Sequence, residues 1–361
     1  MSGWIPDEFE PGLVSVVIPT CNRAGLLAET LESLFNQTHD RVEVLLVDDG
    51  SEDATSATTE SWSKRFGSRK SWRFKLIRQE HLGAQAARNR GTRESRGEFI
   101  NYLDDDDLLA EDKIALQVQA ARRSDADLVC GPYAYFVRDE HGYGLRPPQG
   151  GRQPDAGGSL FEAWLRGWSW YVMAGLLRRE LVNRAGPWDE SMLCCQDLAF
   201  AASCLSVEPR LAPSPASMLY RRHHAGSVSN RSFAKYEDSL IRFAQTIEKL
   251  ALDRLPPERA GPALAQYLGR HAIRFFAKGS TRGAAFCTTK VGEYDPDYRP
   301  DRSGLSTRLA YALGGFRLWA WKNRMRDRFK TLGRSLRGKR EGYRPVPTLW
   351  VPRTEKAPPH G

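Results

Sequence analysis

Two hydrophobic patterns alternate over the first 130 residues of the chain. Short, largely apolar runs predict strands buried in a sheet, over residues 14–18, 42–47, 72–77, 98–103 and 126–131. Helical spacing of leucines, or a helix-forming composition, predicts the helices between them, over residues 24–37, 83–95 and 111–123. Because strands that alternate with helices form βαβ units, the sequence predicts an α/β fold with a mostly parallel central sheet flanked by helices.

The remainder of the chain has a different character. Residues 141–158 are rich in Gly, Pro and Arg, which predicts a long loop. The aromatic stretch "WLRGWSWYV" follows at 164–172, and it holds Trp168 and Trp170. Either tryptophan can stack on a ligand, but Trp is usually buried, so we expect at least one of them in the core. From about residue 232 the pattern is helical.

Three polar clusters follow three of the predicted strands. They are "PTCNR" at 19–23, "DDGSEDAT" at 48–55 and "DDDD" at 104–107. Parallel α/β sheets bind ligands beyond the carboxyl ends of their strands. If the strands are neighbours, the three clusters meet at one edge of the sheet, and this coincidence predicts a binding site there.

Residue types at this edge indicate the chemistry. No G-x-G-x-x-G motif follows the first strand, which disfavours a dinucleotide site, and the absence of G-K-[ST] excludes a P-loop. Carboxylates bind phosphates through Mg²⁺ or Mn²⁺. Asp104 and Asp106 are two apart and lie on one side of an extended segment, where both can face a cation. The alternative is an acidic loop that opens a helix, and Asp107 suits that role.

Four long strings of the sequence resemble glycosyltransferase family 2, whose fold is GT-A. Two of them, at 14–55 and 83–107, span the three clusters and end in a DXD-type motif. The others are "WDESMLCCQD" and "YRRHHAGSVS". The resemblance covers roughly residues 12–230, and we expect a catalytic domain over 12–230, a helical, basic C-terminal extension over 231–345 and an extended tail over 346–361.

This resemblance implies an inverting transfer of sugar from a nucleotide diphosphate sugar, assisted by Mg²⁺ or Mn²⁺. It implies that Asp104 and Asp106 match the DXD acids, with Asp106 the direct metal ligand. Asp49 would recognise the base, although "VDDGS" also reads as a turn after a strand. The residues that the resemblance assigns to the nucleotide sugar are Thr20, Asn22, Arg23, Asp48, Asp49, Arg88, Asn89, Asp104 and Asp105.

The family often places a histidine that completes the metal or diphosphate site within the fourth string. "YRRHHAGSVS" has one residue more than the usual spacing. Counting from Tyr220 selects His223, and counting back from Ser227 selects His224, which we favour. The alternative is an ordinary surface histidine.

Inversion needs a base that takes the proton of the acceptor hydroxyl. The resemblance assigns this role to Asp197, and the alternative is a helix N-cap. Two residues depart from the family: Gln196 replaces the acid that usually precedes the base, and Cys21 replaces a tyrosine. Both departures leave open a catalytically silent sugar-nucleotide-binding protein. A sugar nucleotidyltransferase is disfavoured, because "PTCNRAG" is not a triphosphate loop.

Charge is concentrated near the C-terminus. Residues 301–345 carry 13 Lys or Arg against 3 Asp or Glu, a net of +10, while the whole chain has +9. Aromatic residues interleaved with these charges over 302–345 indicate either a peripheral membrane contact or a helix packed on the catalytic domain. No nucleic-acid motif accompanies them, so nucleic acid is not expected.

Partners and location follow from the same features. We expect a nucleotide diphosphate sugar donor, with UDP-sugars favoured, and a saccharide or lipid-linked acceptor. No secretory signal or membrane-spanning run is evident, which predicts a cytoplasmic protein, peripheral on the inner face of the plasma membrane. Six scattered cysteines without a C-x-x-C pair predict reduced thiols.

Overall fold

The computed structural model describes residues 3–139, 142–151, 154, 158–223, 232–298 and 344–345. Its strands are β1 (Glu10–Thr20), β2 (Val42–Asp49), β3 (Trp72–Gln79), β4 (Gly97–Tyr102), β5 (Leu108–Leu109), β6 (Leu128–Cys130), β7 (Pro132–Asp139), β8 (Gly142–Leu145), β9 (Gln149–Gly150), β10 (Gly175–Arg178), β11 (Leu211–Pro213), β12 (Leu219–Arg222) and β13 (Arg344–Pro345). Its helices are α1 (Ala24–Phe35), α2 (Thr55–Phe66), α3 (Ala84–Glu94), α4 (Lys113–Ser124), α5 (Leu160–Arg166), α6 (Arg179–Ala185), α7 (Gln196–Ser206), α8 (Glu237–Arg254), α9 (Pro257–Ala277) and α10 (Thr281–Tyr294). Short 3₁₀ turns lie at Val172–Ala174 and Phe233–Lys235.

The central sheet has seven strands in the order β11-β6-β10-β4-β1-β2-β3. Strands β1, β2, β3 and β4 are parallel, and β10 is antiparallel to both of its neighbours. All five predicted strands are present, and the predicted mostly parallel α/β sheet is confirmed. The elements that were missed include the short strands β10 and β11 of this sheet and helix α2, whose sequence is mostly polar.

Strand register explains why the polar clusters meet. Thr20 at the end of β1 pairs with Asp48 at the end of β2. On the other side of β1, Val17 pairs with Tyr102 of β4, so the aspartates that follow β4 emerge beside the end of β1. The three carboxyl ends therefore share one edge of the sheet.

A second, six-stranded sheet contains β5, β12, β7, β8 and β13 in that order, with β9 paired to β7. It corrects the prediction of one long loop over residues 141–158, because β8 and β9 lie in this segment and pair with β7. The sheet brings β12 beside β5, which directly follows the aspartate run. The residues after β4 and those after β12 are thereby held close together.

The predicted helical region after residue 232 is confirmed as far as Tyr294. Helix α8 packs on α7, and α9 packs on α5 and α10. One hydrophobic core includes the sheet residues Val16 and Leu46 together with Phe243, Leu268 and Phe275 of these helices. The basic segment 302–345 and the tail 346–361 lie outside the described residues, apart from Arg344 and Pro345.

Two predictions on cysteines and membrane spans can be compared with the structure. All six cysteines are free, and five of them are buried. In the described part of the chain, no helix combines the length and apolar character needed to cross a bilayer. Trp170 is buried in the core as expected for at least one tryptophan, whereas Trp168 is half-buried.

Gly91 lets α3 lie close to the central sheet. A Cβ at this position would stand 2.6 Å from Val17 Cγ1 and 3.2 Å from Val47 Cγ2. We expect Gly91→Ala to lower the free energy of unfolding by about 1–3 kcal/mol, because overpacking exceeds the gain in helix propensity. Urea denaturation measures this change. The matched variant Gly292→Ala meets no atom within 4 Å in α10 and should stabilise the protein slightly; equal effects would contradict the close approach.

Lys113 gives a second test of the core. Its ammonium is buried at the start of α4 and donates to Gln117 Oε1 at 2.8 Å, and burial lowers its pKa from 10.5 to about 7. Between these values the unfolded chain binds more protons than the folded chain, so stability rises with pH. We expect a rise of about 1–3 kcal/mol from pH 7 to 10 that Lys113→Met removes. Urea denaturation across this range, with exposed Lys64→Met as the control, measures it; an unchanged slope in Lys113→Met would contradict the assignment.

Candidate active site

A cleft of about 640 Å³ opens at the shared edge of the central sheet. The residues after β1, β2 and β4 line it, together with the start of α7, residues of strands β7 and β12, and helix α9. Of the residues predicted to bind the nucleotide sugar or metal or to act as the base, those that line it are Thr20, Arg23, Asp49, Arg88, Asp104, Asp105, Asp106 and Asp197. The structure thus brings together side chains that are up to 177 positions apart in the sequence.

The aspartates after β4 form the most concentrated group of carboxylates in the cleft. One oxygen each of Asp104, Asp106 and Asp107 lies within 4.8 Å of the others. Arg88 Nη2 donates to Asp104 Oδ1 at 2.7 Å, and Arg23 Nη1 donates to Asp106 Oδ2 at 3.1 Å. These cations offset part of the repulsion, so the carboxylates can stay close together.

Asp107 does not open a helix, which corrects the sequence interpretation. The next helix, α4, starts six residues later, after Asp112. Asp107 is buried, and its Oδ1 accepts a hydrogen bond from the Arg222 backbone N–H at 2.9 Å. Burial, together with Asp106 and Asp104, raises its pKa well above the usual value. Its Oδ2 is buried and has no hydrogen-bond partner, so this oxygen is available to coordinate a cation.

Asp105 makes different contacts from its neighbours. Its Oδ2 accepts from Thr20 Oγ1 at 2.8 Å, which ties the aspartate run to the end of β1. Burial, and next the charge of Asp106, raises the pKa of Asp105 to about 7. The hydrogen bond between Asp105 and Thr20 therefore joins the loop after β4 to the end of β1, while the other three aspartates lie close to one another.

Asp49 lines the cleft but already has several partners. Its Oδ1 accepts from the Gln79 side chain at 2.8 Å and from the Leu82 N–H at 2.9 Å, and its Oδ2 accepts from the Gly83 N–H at 2.9 Å. His81 Nδ1 lies 3.0 Å from the same Oδ2. This buried carboxylate therefore fixes the loop before α3, which forms one side of the cleft.

Asn22 and Asp48 hold turns and do not line the cleft. Asn22 Oδ1 accepts from the N–H groups of Glu52 and Asp53 at 2.9 and 3.3 Å, which joins the loops after β1 and β2. Asp48 Oδ1 accepts from the Ser51 N–H at 2.9 Å, as the turn interpretation predicted. Both side chains shape the edge of the sheet.

Helix α3 connects the aspartate group with the loop that leads to α7. Arg88 pairs with Asp104, and its guanidinium lies 4.6 Å from the centroid of the Trp188 ring. Asn89 is buried outside the cleft lining; its Nδ2 donates to the Trp188 carbonyl at 2.9 Å and to Glu190 Oε1 at 2.8 Å, and its Oδ1 accepts from the Trp188 N–H at 2.9 Å. Two neighbouring residues of α3 thus position the aspartate group and the loop before α7.

Asp197 lies in the first turn of α7 and lines the cleft. Cys195, the residue before α7, has φ +58°, so the chain turns sharply as it enters the helix. The Asp197 carboxylate has no hydrogen bond to any residue of the described ranges. The N-cap position belongs to Cys195, so the alternative role of Asp197 as the N-cap is wrong.

Of the two candidate histidines, only His223 can be placed. Its backbone N–H donates to the Phe136 carbonyl at 2.9 Å, and its ring lies 6.4 Å from that of Tyr135. Among the described residues, His223 is not in the group whose ligand atoms come within 4.8 Å of one another. His224 lies outside the described residues, so the choice between the two stays a prediction.

Several side chains of the cleft were missed by the sequence interpretation. Tyr171 O–H donates to Asp104 Oδ2 at 3.2 Å. Arg221 lies 4.5 Å from the Tyr171 ring centroid, and Arg222 Nε donates to the Asp106 carbonyl at 2.9 Å. Arg221 and Arg222 belong to "YRRHH", where attention to the histidines obscured the arginines before them.

Comparisons with known proteins agree with this architecture. Residues 15–178 match the family model of glycosyl transferase family 2. The S. aureus protein TarS, residues 1–349, solved in complex with UDP, superposes with a TM-score of 0.60 at 18% identity, over 91% of this chain and 95% of that one. The chain therefore has the GT-A fold, and its residues 15–178 are similar to glycosyltransferase family 2.

Two curated relatives are similar in sequence. The uncharacterized glycosyltransferase EpsJ of Bacillus subtilis is 30% identical over 224 residues, which are 60% of this chain and 63% of that protein. The glycosyltransferase GlyG of Streptococcus pneumoniae is 34% identical over 122 residues, 34% of this chain and 39% of that protein. The chain thus spans less than two thirds of the length of either relative.

Proposed function

We propose that this protein is an inverting, metal-dependent glycosyltransferase that moves a sugar from a nucleotide diphosphate sugar to an acceptor hydroxyl. The observation that carries the proposal is the position of the Asp104, Asp106 and Asp107 oxygens in the same cleft as Asp197. This reaction requires carboxylates that hold a metal ion for the leaving diphosphate and a separate carboxylate that takes the proton of the acceptor hydroxyl.

Mg²⁺ or Mn²⁺ fits the residues that are present. The aspartate group offers carboxylate oxygens, which these ions prefer, and Asp107 Oδ2 is buried without a hydrogen-bond partner. Asp104 and Asp106 would hold the ion, with His224 or His223 as the candidate further ligand. When bound, the ion supplies positive charge that stabilises the leaving diphosphate.

The chain's own residues have separate tasks in this proposal. Arg88 and Arg23 hold the aspartates in place through their ion pairs. Asp49, with the loop that it fixes, forms the side toward the nucleotide base. Asp197 takes the proton of the acceptor hydroxyl as that oxygen attacks the anomeric carbon. The bond to the diphosphate breaks on the opposite side, so the configuration inverts.

Acceptor and location complete the proposal. The basic segment 302–345 suits contact with an anionic membrane surface. We place the reaction in the assembly of a cell-surface polysaccharide, glycolipid or glycoconjugate on the cytoplasmic side of the membrane, with a saccharide or lipid-linked acceptor.

A thermal-shift screen of nucleotide diphosphate sugars tests the donor. UDP-sugars come first, since TarS was also solved with UDP-GlcNAc. We expect one sugar nucleotide to raise the melting temperature in Mn²⁺ and to lose this effect in EDTA, because a ligand stabilises the state to which it binds. Donor hydrolysis without acceptor is then measured under the same two conditions.

The outcomes of the screen distinguish the candidate functions. Metal-dependent hydrolysis of a donor supports the transferase. Donor binding without turnover under any metal condition would contradict it and favour the catalytically silent protein, which Gln196 at the family's acidic position also favours.

A further inference from the structure

Helix α9 contributes a face to the cleft that the proposed chemistry does not use. Tyr267, Arg270, His271 and Arg274 all line the cleft. Spacings of three and four residues place them on one side of the helix. The Tyr267 ring lies 4.7 Å from the Trp164 ring of α5, and the charge of Asp197 acts on the Tyr267 hydroxyl, so this face lies on the side of the cleft where α7 begins.

His271 offers a hydrogen-bond acceptor. Its Nδ1 lies 3.1 Å from the Tyr267 carbonyl, which can only accept, so Nδ1 carries the proton and Nε2 bears the lone pair. Burial lowers the pKa of the ring to about 3, which keeps it neutral. Nε2 is buried and has no partner. A buried acceptor of this kind normally meets a donor, and none is found among the described residues.

Tyr267 offers the complementary donor. Its hydroxyl is buried without a partner, and burial raises its pKa well above the usual value, so the proton is retained. The Tyr267 ring lies 4.2 Å from the His271 ring and 4.7 Å from the Trp164 ring. Neutral donors and acceptors beside aromatic rings match the hydroxyl groups and apolar faces of a sugar.

Arg274 adds a charge at the same face. Its guanidinium lies 5.8 Å from the Phe233 ring centroid, and it forms no ion pair with any residue of the described ranges. It follows His271 by three residues, which is about 4.5 Å along the helix axis. A cation on the same helix face as a neutral hydroxyl-binding pair suits a sugar that carries a phosphate or a carboxylate.

We propose that the α9 face of the cleft, formed by Tyr267, His271 and Arg274, is the acceptor site and that the acceptor is a saccharide bearing an anionic group. That the bound sugar is the acceptor rests on the proposed function, whereas the binding of an anionic sugar rests on the residues of α9 alone. Recognition of the anionic group and recognition of the sugar ring can be tested separately, because Arg274 contacts the anion and His271 contacts a hydroxyl group.

A ligand-observed NMR titration of the full chain in EDTA tests this site, because phosphate cannot then bind through a metal. The probes are glucose 6-phosphate, glucuronate, glucose and inorganic phosphate. We expect at least one of the two anionic sugars to bind about 10-fold more tightly than glucose or phosphate alone. The sugar that binds more tightly shows whether the site prefers a phosphate or a carboxylate. Equal binding of all four probes would overturn the proposal.

Three variants separate charge from sugar. Arg274→Gln should weaken the anionic sugars about 10-fold and leave glucose unchanged. His271→Phe, which preserves an aromatic ring beside Tyr267, should weaken glucose and the anionic sugars alike. Arg254→Gln removes an exposed arginine of α8 that does not line the cleft, and it should change nothing. Binding of anionic sugars that survives Arg274→Gln contradicts the assignment.

Failure of this proposal differs from failure of the proposed function. Metal-dependent donor hydrolysis without a preference for anionic sugars would retain the transferase and exclude the α9 site. Arg274-dependent binding of an anionic sugar without turnover of any donor would retain the α9 site and exclude the transferase.

Discussion

Asp197→Asn should bind the donor normally and lose about 10³-fold in the rate of sugar transfer, because a general base contributes roughly 10²–10⁴-fold. The amide has nearly the same shape as the carboxylate but cannot accept the acceptor's proton. Asp197 lines the cleft from the first turn of α7 and has no hydrogen bond among the described residues, so the substitution breaks no structural contact there. Initial rates and the donor dissociation constant, measured on the same preparation, separate the two effects.

The control for this variant is Asp238→Asn. Asp238 also lies in the first turn of a helix, α8, but it is exposed and pairs with Arg282 on the surface. It should transfer sugar at the wild-type rate. Normal turnover in Asp197→Asn would remove Asp197 from the role of base, and a loss of donor binding would move it to the donor side of the cleft.

The edge of the sheet could be predicted because local patterns determine it. Apolar runs identified five of the seven strands of the central sheet, and the parallel register then placed the residues after β1, β2 and β4 together. Helix α2 was missed because its apolar residues are few: Trp62 and Phe66 pack against Phe35 of α1, while most of its other residues are polar. Tertiary packing stabilises this helix more than its own periodicity does.

The roles of individual side chains depend on distant partners and could not be predicted. Asp107 is buried and accepts a hydrogen bond from the backbone N–H of Arg222, which follows it by 115 residues. Asn89 appeared to belong to the donor pocket, yet it binds the backbone of Trp188, 99 residues away. The contribution of α9 to the cleft depends on its packing against α5, which no motif in either helix indicates. The sequence therefore predicted which segments meet at the cleft, but not which contacts each side chain makes there.

Asp106→Ala is the second large effect that we expect: donor binding should lose its dependence on Mn²⁺ and weaken at least about 100-fold in the presence of the ion. Substituting even residues around a metal ligand commonly costs 10–100-fold in affinity, so loss of a direct ligand should cost no less. Isothermal titration of the donor identified by the screen, with Mn²⁺ and with EDTA, measures both quantities.

The variant should remain folded, which makes the binding loss interpretable. Asp106 raises the pKa of both Asp105 and Asp107, so its removal relieves repulsion within the buried group. In EDTA the melting temperature of Asp106→Ala should therefore equal or exceed that of the wild type. Asp112→Asn, a change in the exposed residue that precedes α4 in the same segment, is the matched control and should bind donor with the wild-type metal dependence. If Asp106→Ala retained that dependence, the metal would have to be assigned to Asp104 and Asp107, because these are the remaining carboxylates of the group.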